Sequence, residues 1–164
     1  MKDTQTLEAA RVVAFRFLGY AARSKAEIER RLEKSGFPPE IIASVVEECV
    51  TRGWVNDTEF AQRWIEDRAD RKQYGRSRLA AELQRKGVDR ETMKTALSTI
   101  AVEDEVERAL AAARTKYHPE RLANADNATL QAEKRKLSGF LQRRGFGWST
   151  ISQVLAKLTA SEEE

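Results

Sequence analysis

The chain has 164 residues, enough for one ordinary domain or for several small units that share interfaces, and 34% of them are charged against 41% hydrophobic. With only 3 prolines, this balance suits soluble helices with wide solvated faces and argues against long strands, and no apolar run is long enough to cross a bilayer. The formal net charge of +3 understates the local fields, because acids gather away from the basic stretches, notably in Glu162, Glu163 and Glu164.

In chain order, the first predicted element is an amphipathic helix from about Thr6 to Ala22, with Leu7, Val12, Phe15, Leu18 and Tyr20 toward the core. Ser24 opens a second helix, with Glu27 at the spacing of a capping box, and Gly36 ends it. Pro39 fits the first turn of a third helix, where its missing N–H would have had no partner; this helix runs to about Arg52. Trp54 and Val55 are expected to seal the joint to the next unit. Asp57 is expected to cap a fourth helix bearing Phe60, Ala61, Trp64 and Ile65, which closes at the loop Gln73-Tyr74-Gly75. Arg76 begins the fifth helix and Asp89 caps the sixth. A seventh helix from near Asp104 carries Val106, Leu110 and Tyr117 into a polar connector around Asn124, Asp126 and Asn127. The last two helices span roughly Ala128 to Arg143 and Ser149 to Leu158, before an acidic tail with the composition of a disordered end.

One helix-to-helix junction occurs three times along this series. Leu32 leads to Gly36-Phe37, Leu83 to Gly87-Val88 and Leu141 to Gly145-Phe146, and one turn before each leucine stand Ile28, Leu79 and Leu137. The offsets persist beyond the glycine: Ile42, Met93 and Ile151, then Val46, Leu97 and Leu155, then Cys49, Ile100 and Leu158. A helix commonly ends on one residue in the left-handed region, where a Cβ is penalised, so glycine at this position has a geometric cause. Three aligned copies imply duplication. The expected fold is all-α: a tandem array of three three-helix repeats, elongated and straight or curved, with boundaries at residues 1–57, 58–103 and 104–159 and an acidic tail at 160–164.

Catalytic chemistry finds little support. There is no phosphate-cradling glycine loop with a lysine and no nucleophile with an available histidine. The adjacent pairs Glu47-Glu48 and Glu66-Asp67 point in different directions on a helix and read as solvated faces. Cys49, the single cysteine, falls on an apolar offset and is expected to fill core volume, and His118 has no partner at metal-ligand spacing. A non-enzymatic protein with no cofactor and no metal is therefore expected. The amino terminus lacks an export pattern, which places the expected location in the cytoplasm.

Binding finds more support, because the middle helix of every repeat is basic. Lys25, Arg30, Arg31 and Lys34 belong to the first, Arg76, Arg78, Arg85 and Lys86 to the second, and Lys134, Arg135, Lys136, Arg143 and Arg144 to the third. Lys34, Arg85 and Arg143 lie two residues before the junction glycine and favour the helix carboxyl end. Lys25, Arg76 and Lys134 lie eleven before it, and a cation near a helix start makes with the free N–H groups a seat for a phosphate or an acidic side chain. The densest basic segment with an aromatic nearby is central: Arg68, Arg71 and Lys72, then Tyr74-Gly75, then Arg76 and Arg78.

With these segments in place, the chain resembles the RecX family, bacterial regulators of the RecA recombinase. The resemblance is carried by Ala22-Arg23-Ser24-Lys25-Ala26-Glu27-Ile28 with Leu32 and Gly36-Phe37, and by Gly53-Trp54-Val55-Asn56-Asp57 with Phe60-Ala61 and Trp64. It continues through Arg68, Gly75-Arg76, Leu79, Glu82-Leu83 and Lys86-Gly87-Val88, and closes with Leu141, Arg143-Arg144-Gly145-Phe146 and Ile151. The resemblance implies a protein that binds the RecA filament on DNA and restrains recombinase and coprotease activities, and so modulates DNA repair and the SOS response. By motif position it implies structural roles for Gly75 and Glu82 and binding roles for Arg68, Arg76 and Lys86. The full candidate surface is Lys25, Arg31, Arg68, Arg71, Lys72, Arg76, Arg78, Arg85, Lys86, Lys134, Arg143 and Arg144. The expected partners are the RecA filament and single- or double-stranded DNA, with no membrane, and the expected state is a monomer. A stand-alone nucleic-acid binder is the competing reading, since helix, glycine turn and basic helix imitate a helix-turn-helix.

Overall fold

A computed structural model of the chain describes residues 6–121 and 124–160. Among these residues there are nine α-helices, a short 3-10 turn at Pro119–Arg121 and no strand. The first repeat comprises α1 (Leu7–Tyr20), α2 (Lys25–Lys34) and α3 (Pro39–Thr51), and the second α4 (Asp57–Lys72), α5 (Arg76–Arg85) and α6 (Arg90–Ser98). The third comprises α7 (Val102–Arg114), α8 (Asn127–Arg143) and α9 (Trp148–Ala160). The expected acidic tail lies outside the described residues apart from Ala160.

The repeated sequence positions become the cores. Ile28 and Leu32 of α2, Leu79 and Leu83 of α5, and Leu137 and Leu141 of α8 are all buried. Each such side chain contributes roughly 1.5–3 kcal/mol by leaving water. Phe37, Val88 and Phe146 follow the three glycines and are buried as well. Each junction closes with the same two hydrogen bonds. The N–H of Phe37, Val88 and Phe146 donates to the carbonyl of Leu32, Leu83 and Leu141, and the glycine N–H donates to Glu33, Gln84 and Gln142. The junction glycines have φ of 84°, 74° and 90°, the left-handed conformation that this Schellman closure requires.

The described chain divides into two compact units. One runs up to Trp64 and takes in Leu83–Ala96; the other takes Ile65–Glu82 and everything from Leu97. The middle repeat is thus shared out, with the carboxyl end of α5 in the first unit and its amino end in the second. In the first unit α1, α2 and α3 pack pairwise around Ala10, Ala14, Ile28, Leu32, Val45 and Cys49. Cys49 is 1% exposed, and burial pushes its thiol pKa up, so it serves as a small hydrophobe. In the second unit α7, α8 and α9 enclose Val106, Ala109, Leu110, Leu137, Leu141, Phe146 and Val154.

Several sequence expectations are corrected. Helix α1 buries Ala10 and Ala14 and packs Leu7, Val13, Phe17 and Leu18 on them, whereas Val12, Phe15 and Tyr20 are exposed. Two alanines let the neighbouring helices approach closely, and that selects the stripe in preference to the larger side chains. Val55 enters the first core, but Trp54 lies outside it, edge-on to Phe15 with ring centroids 4.9 Å apart. Asn56, not Asp57, caps α4: its Oδ1 accepts from the Glu59 N–H at 3.1 Å, while Asp57 has another partner. The Ser24–Glu27 capping box is present, and Asp89 accepts the Thr92 N–H at the start of α6. At the start of α8, Asp126 accepts the Thr129 N–H.

Candidate partner-binding surface

The amino end of a middle helix carries N–H groups that its own turn cannot satisfy, and the carboxyl end carries carbonyls in the same position. The fold brings the two kinds of end together, so that donors at a helix start reach carbonyls at a helix end. In the first unit the end of α5 meets the start of α2: the Ser24 hydroxyl donates to the Lys86 carbonyl at 2.5 Å, and Arg30 Nη1 donates to the Arg85 carbonyl at 2.7 Å. Lys86 Nζ reaches Glu27 Oε1 at 2.9 Å and lies 5.0 Å from the centre of the Trp64 ring. In the second unit the end of α8 meets the start of α5. The Gly75 N–H donates to the Arg144 carbonyl at 2.8 Å, the Ser77 N–H to the Gly145 carbonyl at 3.2 Å, and Arg78 Nη1 to the Arg143 carbonyl at 3.2 Å. A negative helix end sits on a positive one in both cases, the favourable sense for the two dipoles.

The seats at the helix starts are filled by acids of this chain. The Lys25 N–H donates to Asp57 Oδ1 at 2.8 Å, and the Arg76 N–H donates to Glu105 Oε1 at 3.0 Å. Both acids come from the first helix of the following repeat. Glu105 is 5% exposed and is joined by the Arg76 guanidinium at 3.4 Å, which also donates to the Ile100 carbonyl. Burial pushes the Asp57 carboxyl up, against the lowering effect of the Lys25 N–H. Arg108, on the next turn of α7, has buried Nε and Nη2 atoms without a hydrogen-bond partner; burial lowers its pKa, and Glu105, Asp104 and Asp70 oppose that.

Lys134 does not share this position, because α8 begins seven residues earlier, at Asn127, so Lys134 stands within the helix. The expectation that three cations occupy equivalent helix starts therefore holds for Lys25 and Arg76 alone.

The twelve candidate cations divide by what they touch. Arg76 and Lys86 form the ion pairs just described. Arg78 lies 4.0 Å from the Tyr74 ring centre and 3.9 Å from Glu82, and Arg144 donates to the Lys72 carbonyl while facing Tyr74 and Phe140. Arg68 is half-buried on α4, with its Nε enclosed. Arg71 is exposed and pairs with Asp67 one turn earlier at 3.1 Å. The others are less committed. In the first unit Lys25, Arg31 and Arg85 are exposed, Arg31 lying 5.7 Å from the Phe17 ring centre. In the second unit Lys72 and Arg143 are exposed and Lys134 half-buried. None of these six makes a side-chain ion pair among the described residues.

Sequence reasoning missed the acids. Glu105 had a signal, since it falls on the stripe of Val106, Ala109, Leu110 and Ala113 that α7 buries, where an unpaired carboxylate is not tolerated. Asp57 had none, because a helix-start aspartate has a sufficient local explanation.

Three three-helix repeats, with two glycine turns seated on the starts of middle helices, define an all-α helical-repeat protein. Residues 10–49, 56–97 and 103–155 match, in order, the first, second and third three-helix domains of RecX. The chain is 35% identical over 164 residues to the "Regulatory protein RecX" of Mycolicibacterium vanbaalenii, covering 99% of this chain and 89% of that protein. It is 34% identical to that of Mycolicibacterium smegmatis, covering 96% and 83%. The fold also matches the crystal structure of RecX from Lactobacillus salivarius with a TM-score of 0.83 at 18% identity, over 94% of this chain and 97% of that one. The chain belongs to the RecX family of regulatory proteins.

Proposed function

We infer that this protein is a non-enzymatic regulator that binds the RecA filament on DNA and restrains its recombinase and coprotease activities, and thereby acts in DNA repair and the SOS response. The observation that carries this reading is the ordered match of all three repeats to the three RecX domains. The uncommitted cations Lys25, Arg31 and Arg85 in one unit, and Lys72, Lys134 and Arg143 in the other, supply a compatible mechanism. Many contacts of modest strength add along a repeating partner, and a filament presents the same acidic and phosphate groups at each protomer. No helix among the described residues is long and apolar enough to cross a membrane, and the reading places the protein with its partner in the cytoplasm.

The test is RecA-driven strand exchange with and without this protein. Replacing Lys25, Arg85, Lys72 and Arg143 together by Gln should relieve inhibition while helicity and the unfolding midpoint are retained. Undiminished inhibition by that folded variant would remove this surface from the mechanism. Charge reversal at Arg76 and Lys86 is a different experiment, since it sets a carboxylate against Glu105 and another against Glu27, and its first effect should be on the fold. Tight sequence-selective binding to bare DNA, without RecA, would favour a stand-alone nucleic-acid binder instead.

A further inference from the structure

The second unit carries a groove of about 480 Å³ lined by Lys116 and Tyr117 at the end of α7 and by Glu133, Lys136, Leu137, Phe140 and Arg143 of α8. Its floor is apolar and continuous with the core, since Leu137 is buried and Tyr117 and Phe140 pack against the same cluster. Its rim is basic. Lys116 lies 5.8 Å from the Phe140 ring centre, Lys136 is held by Glu133 at 2.7 Å, and Arg143 is exposed and makes no side-chain ion pair among the described residues.

We propose that this groove is a docking site for an acidic peptide segment of a protein partner, with one apolar or aromatic side chain on the Leu137–Phe140 floor and flanking carboxylates on Lys136, Arg143 and Lys116. Charge complementarity selects the acid, and the floor selects the peptide. A nucleic-acid backbone would set phosphates over apolar surface, whereas an acidic peptide with a single apolar anchor matches both zones. The spacing gives the register. Lys136 and Arg143 are seven residues apart on one helix face, about 10 Å along the axis. An extended chain covers that distance in about three residues, so the two carboxylates flank the anchor.

The inference rests on the regulator reading only for the existence of a protein partner. Its assay contains no RecA, and nucleic acid enters only as a competitor, so a failure here and a failure of inhibition are separate results. The probe is a fluorescein-labelled Gly-Ser peptide carrying one Phe between two Glu residues at that spacing, titrated into the full chain and followed by anisotropy and by ¹H–¹⁵N shift mapping. Binding with shifts concentrated at residues 116–117 and 133–143 is expected. It should weaken roughly tenfold when the Glu residues become Gln, when the Phe becomes Ser, or when the protein carries Lys116→Gln with Lys136→Gln, each change removing contacts of about that worth. Because two of those changes are in the peptide, the test survives any loss of folding in the protein variant. Three results would overturn the proposal: no binding, binding insensitive to the Phe, or shifts elsewhere. A single-stranded oligonucleotide that displaces the peptide from the same residues with higher affinity would do so too, by assigning the groove to nucleic acid.

Discussion

The two couplings between repeats have the same geometry and different chemistry. In the first unit the Gly87 turn lies on Ala26, and the bonds around it come from side chains: the Ser24 hydroxyl, the Arg30 guanidinium and the Lys86–Glu27 ion pair. In the second unit the Gly145 turn lies on Arg78, and backbone N–H groups of Gly75 and Ser77 do most of the work. Where Ser24 stands in one repeat, Gly75 stands in the other, and a Cβ there would come within 3.0 Å of the Gly145 carbonyl. What the copies share is therefore the close approach of a glycine turn to a helix start. The bonds that satisfy the exposed backbone are interchangeable, because any donor in the right place relieves an unpaired carbonyl.

The strongest way to break this equivalence is to block the approach itself. The three junction glycines share a positive φ, but a Cβ at Gly87 or Gly145 would fall within 3.0 Å of Ala26 or Arg78, whereas one at Gly36 meets nothing within 4 Å. Gly36→Ala should therefore cost only the left-handed strain of about 1 kcal/mol. Gly145→Ala should cost about 3 kcal/mol or more, since backbone atoms of Arg78 must also move, and Gly87→Ala should fall between them. Chemical denaturation of the three single variants measures the series. Equal losses at all three positions would show that the couplings contribute nothing beyond the turn.

The next effect compares the two acids that fill the helix starts. Glu105 is buried, and its loss leaves the Arg76 N–H and guanidinium without their acceptor and removes a charge that offsets Arg108. Glu105→Ala should destabilise by about 2 kcal/mol, below the value for a fully buried pair because the Arg76 side chain is 36% exposed. Asp57 is half-buried and accepts one N–H from Lys25, so Asp57→Ala should cost about 1 kcal/mol. Glu105→Gln separates the contributions of Glu105: it keeps an acceptor for the N–H and loses the ion pair. A loss at Asp57 exceeding that at Glu105, read from unfolding midpoints, would reverse the ranking of the two seats.

Much of this was legible because the hydrophobic period and the glycine positions are local signals. Ile28, Leu32 and Gly36, with their counterparts, mark three middle helices and their ends in the sequence alone. The surface was harder to read. The charge of Arg76 and Lys86 is plain in the sequence, but that each has a carboxylate waiting in another repeat is not, since Glu105 and Glu27 are 29 and 59 residues away. Cations that read as a binding ridge thus include several that join repeats, and only tertiary contacts tell the two groups apart. The α1 stripe failed for a related reason. Ala10 and Ala14 carry little hydrophobic signal compared with Phe15, and it is their small size, which admits a neighbouring helix, that decides the face.

The smallest expected effect sharpens the same contrast through pH. Burial raises the Asp57 pKa above its ordinary 3.8, with Asp89 and Glu27 adding to the rise and Lys25 opposing it. The folded state then binds the proton more tightly than the unfolded chain, so the contribution of this carboxyl falls as pH rises from 3.8 through the folded value. Asp89 behaves oppositely. Hydrogen bonds from the Thr92 hydroxyl and N–H lower its pKa below 3.8, so its contribution is complete above that value and is lost as pH falls through the folded one. The stability advantage of the wild type over Asp57→Asn should therefore shrink from acid toward neutral pH, while its advantage over Asp89→Asn should grow. Parallel curves for the two variants would show that the acid seated on α2 is no less hydrated than an ordinary helix cap.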